Sequence, residues 1–306
     1  MKRFIIKSLL FLLPLAVVLA GVEYFLRLIP NDYSYKSQWL DSNSNKVKIW
    51  CFGTSHGYFG INPDYFSKES FNSGHVCQGI KFDHYIFKKY MDKTNSLETV
   101  IIPVSYSSLW SNMEKGNESW KVPNYHIYYG YNDMKFALRF KVINESKPFS
   151  RAVKSFLKME NNISCTELGW YTLNSFESKS PEWKETGKTA CKWHTIKKLD
   201  DDVQKINEEY IIDICSICKS KNVKVILLTT PTYHTYYELL DSIQLSKTID
   251  FCRKTEESFD NVSYINLLKD NRFTDDDFYD ADHLDEFGAK KLTLILNDTI
   301  EIICNR

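Results

Sequence analysis

The chain has 306 residues, with 39 Lys and Arg balanced by 39 Asp and Glu, so its formal net charge is zero. That length is enough for one large α/β domain or two small ones with a buried core. The charge balance lacks the basic excess with which a nucleic-acid binder displaces phosphate counterions, so no nucleic-acid partner is expected.

Residues 1–30 differ from the rest. Lys2, Arg3 and Lys7 precede or flank an apolar stretch that continues, interrupted by Glu23 and Arg27, to Ile29, and Pro30 ends it. A helix needs roughly 20 apolar residues to cross a bilayer, and residues 4–25 meet that length, with Tyr24 and Arg27 suited to the far interface. Positive charge ahead of the apolar run predicts a cytoplasmic N-terminus and an extracytoplasmic remainder, periplasmic or at the cell surface. A cleaved signal peptide is the alternative, because Val18-Leu19-Ala20 is a tolerable small-residue site. The apolar Val22, Tyr24, Phe25 and Leu26 beyond that site favour an uncleaved anchor. Residues 31–45, rich in Asp, Ser and Asn, read as a tether, and residues 46–306 as the folded domain.

Within that domain, residues 47–52 form an apolar run bounded by Gly53, which predicts a strand. A second strand is expected in 71–76, a helix in 82–91 from the spacing of Phe82, Tyr85, Ile86 and Tyr90, and a buried strand in 99–104. Pro103 sits awkwardly there, since a central strand loses a ladder bond at proline. Residues 107–200 hold Trp110, Trp120, Trp170, Trp183 and Trp193 and many tyrosines; they read as an insertion or cap over the sheet, with helical turns in 136–156. Aromatics are 15% of the chain and serve either a Tyr-rich core or stacking platforms for a flat ligand such as a sugar. Regularity returns with a helix in 201–219, a strand in 223–230, a helix in 243–259, a strand in 262–267 and a last helix in 287–303. Such alternation of apolar strands with helices predicts a three-layer α/β/α fold, a mainly parallel sheet covered on both faces. Ligands of such sheets bind beyond the carboxyl ends of the strands.

Eight cysteines fit an exported protein. Cys165 and Cys191 bracket a polar segment that a disulfide would close. Cys215-x-x-Cys218 lies in a helical pattern with no second pair at zinc-finger spacing, which favours ordinary buried cysteines over a metal or redox site. Four N-x-S patterns, at Asn117, Asn144, Asn162 and Asn261, carry little weight.

Two loops fall on the predicted active edge. Gly53-Thr54-Ser55-His56-Gly57 follows the first strand, where a tight turn exposes a nucleophile and aims backbone N–H groups at a developing oxyanion. Asp280-Ala281-Asp282-His283 precedes the last helix, and an Asp three residues ahead of a His brings carboxylate and imidazole within hydrogen-bond reach. The surrounding acidic run, Asp275, Asp276, Asp277, Asp282 and Asp285, lacks the spacing and glycine of a calcium loop. His56 and His234 also fall near this edge, and no arrangement suggests a three-histidine zinc site.

In these residues the chain resembles the SGNH (GDSL-type) hydrolase superfamily, over residues 47–105 and 223–303. G-T-S-H stands where the family carries G-D-S-L, while D-x-x-H-L with Gly288-Ala289 after it matches well. It looks most like membrane-anchored members that act in cell-surface acylation, such as the D-alanyl-transfer protein of teichoic acids. The resemblance implies Ser55 as nucleophile, His283 as base and Asp280 as orienting acid. It also implies oxyanion donors from Gln78 or Gly79, and from an Asn after the third strand. Ser105-Tyr106-Ser107 stands at that place, so a Ser or Tyr hydroxyl, with Ser105 first, is the expected substitute. Gly130-Tyr131-Asn132-Asp133 spells the Asn motif some 25 residues too late. The implied function is a serine esterase or O-acyltransferase without cofactor or metal, acting on an acylated surface glycan or other ester. A membrane acyl-donor partner is expected if it is a transferase. The alternative is an inactive protein of the same fold that serves in glycan binding or assembly.

Overall fold

The structure, a computed structural model, describes residues 1–141 and 162–304. The chain divides into two compact units, one of residues 1–37 with 113–163, the other of 38–112 with 164–306.

The first unit begins with α1 (Lys2–Leu28), 27 residues with apolar side chains such as Phe4, Phe11 and Leu15 exposed. At 1.5 Å per residue it is about 40 Å long, and among the described residues it is the one helix long and apolar enough to cross a membrane. Arg27 pairs with Glu23 one turn back at 2.6 Å. The unit closes around Tyr128. Its hydroxyl donates to the Arg27 carbonyl at 3.0 Å and accepts from Asn31 Nδ2 at 2.9 Å and Lys141 Nζ at 3.1 Å. Ser37 Oγ donates to its carbonyl at 2.6 Å.

Two expected boundaries are corrected here. Residues 31–45, read as a tether, form a helix, α2 (Asp32–Asn43), and a short turn. Asn31 nucleates it: its Oδ1 accepts from the N–H of Tyr33 and of Ser34 at 3.0 and 3.1 Å, an N-cap. The polar composition conceals that Lys36 and Leu40 are fully buried. The insertion expected over 107–200 is also divided, because residues 113–163 group with α1 while 164–200 group with the sheet. Of the helical turns expected in 136–156, Phe136–Arg139 is a single tight turn, and residues 142–156 lie outside the described residues, as does Asn144.

The second unit contains one five-stranded, all-parallel sheet in the order β2-β1-β3-β4-β5. The strands are β1 (Ile49–Cys51), β2 (Ser70–Asn72), β3 (Thr99–Pro103), β4 (Lys224–Thr229) and β5 (Val262–Asn266). The helices of this unit are α3 (Ser55–Gly60), α4 (Ile80–Tyr90), α5 (Thr186–His194), α6 (Asp201–Ser220), α7 (His234–Tyr237), α8 (Ser242–Ser258) and α9 (Glu286–Cys304). Alternation of side chains along each strand sets the two faces. Ile49, Cys51, Ile101, Ile226 and Leu228 form one core with Leu292, Leu296 and Ile300 of α9. On the other face Trp50 packs on Phe52 and on Phe87 of α4, ring centroids 4.6 and 6.1 Å apart. The α/β/α fold class expected from the sequence is therefore the observed one, with every strand parallel.

The strand order reverses between β1 and β3, and such a switch point opens a crevice above the carboxyl ends of the two strands. Pro103 ends β3 at that crevice. Thr99 N donates toward β1, to Lys48 O, and Val104 N toward β4, to Leu228 O. By alternation position 103 faces β1, whose last ladder bond is Phe52 N to Ile101 O. The missing N–H thus falls where the neighbouring chain has already left the sheet.

Candidate active site

The chain leaves β1 through Gly53, whose φ of +108° is open to glycine and strained for other residues. Its N–H donates to Asp83 Oδ1 at 3.0 Å. Thr54 then caps α3, so Ser55 is the first residue of the helix, at the carboxyl edge of the sheet. Asn72, fully buried at the end of β2, braces this short helix by donating from Nδ2 to the Gly57 and Ile61 carbonyls at 2.9 and 2.8 Å. The backbone is packed too closely for a side chain at Gly57, where a Cβ would lie 2.3 Å from the Phe52 carbonyl oxygen and 2.9 Å from Pro103 Cγ. Gly57→Ala is therefore expected to lose about 1–3 kcal/mol of stability to overpacking, read as a lowered thermal midpoint of the full chain in detergent. An unchanged midpoint would show that the turn relaxes freely.

Asp83 anchors the same turn from α4. It is 1% exposed, and its Oδ1 also accepts from Gln78 Nε2 at 2.5 Å. Burial pushes its carboxyl up to about 7, against the Gly53 and Gln78 donors that favour the anion. A carboxyl raised in this way stabilises the fold below its unfolded value, and that stability is lost as pH rises toward about 7. Asp83→Asn keeps an acceptor oxygen, so its stability should fall less than that of the native chain between about pH 4 and 7, the span of the shift. Parallel pH curves for the two proteins would contradict this.

The second loop arrives between β5 and α9. Asp280 Oδ1 accepts from the backbone N–H of Asp282 and of His283, at 3.1 and 2.8 Å, which folds the loop into a turn. The same carboxylate takes His283 Nδ1 at 3.0 and 3.1 Å. Across the crevice His283 Nε2 lies 2.8 Å from Ser55 Oγ. Ser55, His283 and Asp280 are thus brought into one hydrogen-bonded row, although the serine and histidine are 228 residues apart in sequence. A row of this kind can pass the hydroxyl proton to the imidazole while the carboxylate fixes its tautomer.

No protein-family profile and no curated protein matches the chain. Among solved structures, it is similar to a GDSL-like lipase of Bacteroides thetaiotaomicron at 12% identity and TM-score 0.42, over 89% of this chain and 99% of that one. It is also similar to a Bacteroides fragilis protein assigned as an acylhydrolase, at 12% identity and TM-score 0.41 over 89% and 95% of the two chains.

The expected oxyanion donors fare unequally. Gln78 is spent on structure: its N–H donates to His75 O at 3.0 Å and its side-chain amide to Ser73 O and Asp83, because the residue is fully buried. Ser105, after β3, has its Oγ 2.9 Å from His56 Nδ1 and so serves that imidazole. Gly79 opens α4 in an extended conformation, and its carbonyl accepts from Phe82 and Asp83. The late Gly130-Asp133 motif lies in the other unit, where Gly130, at φ +78°, ends a helical turn.

Three neighbours of the row were given no role by the sequence, although His56 was placed near this edge and Asp282 in the same loop. His56, buried on α3, stacks against His283 with centroids 5.0 Å apart. Asp282, 3% exposed, lies 3.6 Å from His283 Nδ1. His194, at the end of α5, has its Nδ1 2.8 Å from the Tyr236 hydroxyl. Burial lowers His194 to about 4, so it is neutral at pH 7. Burial also opposes charge on His283, but Asp282 and then Asp280 outweigh it and raise the imidazole to about 9. Asp282 in turn is held well below the usual carboxylate range: burial disfavours its charge, and His283 and His56 overcome it. The glycine-serine and D-x-x-H patterns carried no sign of this second carboxylate. The one available signal was that a histidine follows Ser55 directly and an aspartate precedes His283 directly.

Donor atoms of His56, Asp282 and His283 lie within 4.8 Å of one another, close enough to share a cation. A cation there would draw on a ring nitrogen of His283, and both are engaged in the row, so it competes with those hydrogen bonds. Two of the remaining histidines have other partners: His84 pairs with Asp213 of α6 at 2.7 Å, and His234 is half-exposed beside Glu238. Cys165 and Cys191 are both thiols, with Cys191 Sγ 3.1 Å from the Leu239 carbonyl. Cys215 and Cys218 are buried in α6, and burial pushes the Cys215 thiol up to about 12, which makes it unreactive. Asn261 donates its amide to Cys215 O and Val223 O in the interior, which removes it as a glycosylation acceptor.

Proposed function

We propose that this chain is a membrane-anchored serine acyl-ester hydrolase or O-acyltransferase that works outside the cytoplasm on an acylated glycan. The observation that carries the reading is the 2.8 Å approach of Ser55 Oγ to His283 Nε2, with Asp280 on the other ring nitrogen. Ser55 attacks the acyl carbonyl, its proton passes to His283 Nε2, and the carbonyl electron pair moves onto oxygen. Gly79 N–H is the oxyanion donor that this reading retains from the expected set. Collapse of the intermediate expels the leaving oxygen with the proton from His283 and leaves the acyl group on Ser55. Water then completes an esterase cycle, and a sugar hydroxyl completes a transfer.

The extracytoplasmic location is supported by the basic residues ahead of α1 and by its length and exposed apolar surface. The sugar is supported by Tyr171, a half-buried aromatic near the row that stacks at 4.4 Å on the buried Phe59, which itself lies 5.1 Å from the His283 ring, since a partly open tyrosine suits a sugar ring. The test is to mix the full chain in detergent with a short-chain nitrophenyl ester and digest it at short times. An acyl group on the Ser55 peptide is expected, and added glycan hydroxyls should divert it from water if the protein is a transferase. Absence of both the acyl adduct and fluorophosphonate labelling at Ser55 would reject the reading.

A further inference from the structure

Five titratable groups surround the far side of the Ser55–His283 contact: Asp280 and Asp282 on the same loop as His283, His56 on α3, His194 on α5 and Tyr236 on α7. One oxygen sits among the imidazoles. Asp282 Oδ2 lies 3.5 Å from His56 Nε2, 3.6 Å from His283 Nδ1 and 3.9 Å from His194 Nδ1. A carboxylate with only 3% exposure stays ionised only where donors or cations surround it, and these rings are its surroundings.

The two carboxylates divide the work differently. Asp280 is the more exposed, with 24% of its side chain open against 4% for Asp282. Its Oδ1 is shared among two backbone N–H groups and the imidazole. Asp280 thereby shapes the loop and aims the ring. Asp282 acts on the same ring nitrogen from a drier place, where charge is screened less.

We propose that Asp282 is a second positioning carboxylate of the site, which stabilises positive charge on His283 alongside Asp280, and that Ser105 and His56 hold Asp282 in place. The proposal rests on the reading of Ser55 as nucleophile and His283 as its base. Ser105 Oγ lies 2.9 Å from His56 Nδ1. If its hydroxyl donates there, the His56 proton resides on Nε2, the atom nearest Asp282. His56 Nε2 is itself buried without a well-aligned hydrogen bond, which fits a charge contact better than a packing role. The line Ser105–His56–Asp282 therefore meets the line Asp280–His283–Ser55 at His283. When the Ser55 proton arrives on Nε2, the resulting imidazolium faces two anions instead of one. His194 is the lesser neighbour of Asp282, since burial keeps it neutral at pH 7 and its Nδ1 is engaged with Tyr236.

The test is histidine NMR on the full chain in detergent, labelled at the ring carbon between the nitrogens, with His283 assigned by its disappearance in His283→Gln. The native His283 should titrate well above the ordinary histidine value. Asp282→Asn should lower that midpoint by about one pH unit or more, a tenfold loss of proton affinity. The pH midpoint of fluorophosphonate labelling at Ser55 should fall with it. His84, paired with Asp213, should be unmoved and reports that the variant is folded. If the asparagine disturbs packing, Asp282→Ser should give the same downward shift. A His283 midpoint that stays put in a folded variant overturns the proposal. Ser55 that resists labelling at every pH in the native chain overturns the nucleophile reading and the catalytic role with it, whereas native labelling with no shift in the variant overturns the role of Asp282 alone.

Discussion

Ser55→Ala is expected to lower ester turnover by at least about 10⁴-fold and to abolish fluorophosphonate labelling, while the thermal midpoint of the chain hardly moves. The size follows from the mechanism. On the proposed mechanism, removing the Oγ removes the atom that would carry the acyl group, and neither His283 nor the backbone donors would replace it. The small effect on stability follows from position, because Ser55 is the first residue of α3 and half-exposed, and the turn is held instead by Asn72, Asp83 and Gly53. Turnover of a nitrophenyl ester by native and variant chains measures it. Activity that persists in Ser55→Ala would assign the chemistry to another group.

The second large effect is on pH. His283 must be neutral to accept the Ser55 proton, and the two aspartates raise it to about 9. The rate should therefore climb about tenfold per pH unit from pH 6 and level off near pH 9. Stability runs the other way. An imidazole whose folded value is raised contributes stability in full below its unfolded value near 6.5, and that contribution is lost as pH rises through about 9. The chain should thus gain activity and lose stability over the same alkaline interval. A rate profile already flat at pH 7 would show that the imidazole is not held by two anions. Both effects can be followed on one preparation, by initial rates and by thermal melts.

The strands and long helices of the sheet unit were legible because their apolar residues recur at the right periods. Residues 201–219 and 223–230, for instance, match α6 and β4 to within a residue or two. The fold class followed from their alternation, and the meeting of Ser55, Asp280 and His283 at one sheet edge from where the loops had to lie. Other features depend on contacts that no local pattern records. The helix at Asp32–Asn43 is polar in composition and exists because Asn31 caps it. Asp282 looked like one more member of an acidic run, and only the folded loop shows its carboxylate turned inward to three imidazoles while Asp275 pairs with Lys184 at the surface. Gln78 was a reasonable oxyanion donor from its place before α4, but its donors are committed to the bonds that hold Asp83.

Pro103 has a consequence for how such a site can be altered. A parallel sheet grows like a zipper, and a residue without an amide hydrogen is a missing tooth. Here the missing tooth belongs to β3 and faces β1, just beyond the place where Phe52 makes the last bond between the two strands. Proline is tolerated there because β1 has already left the sheet, beside the loop that carries Ser55. The proline ring also forms the floor on which Gly53 and Gly57 rest, at about 3 Å from where their side chains would begin. Any redesign that moves Ser55 therefore has to reckon with position 103, in the strand next to the one that leads to it.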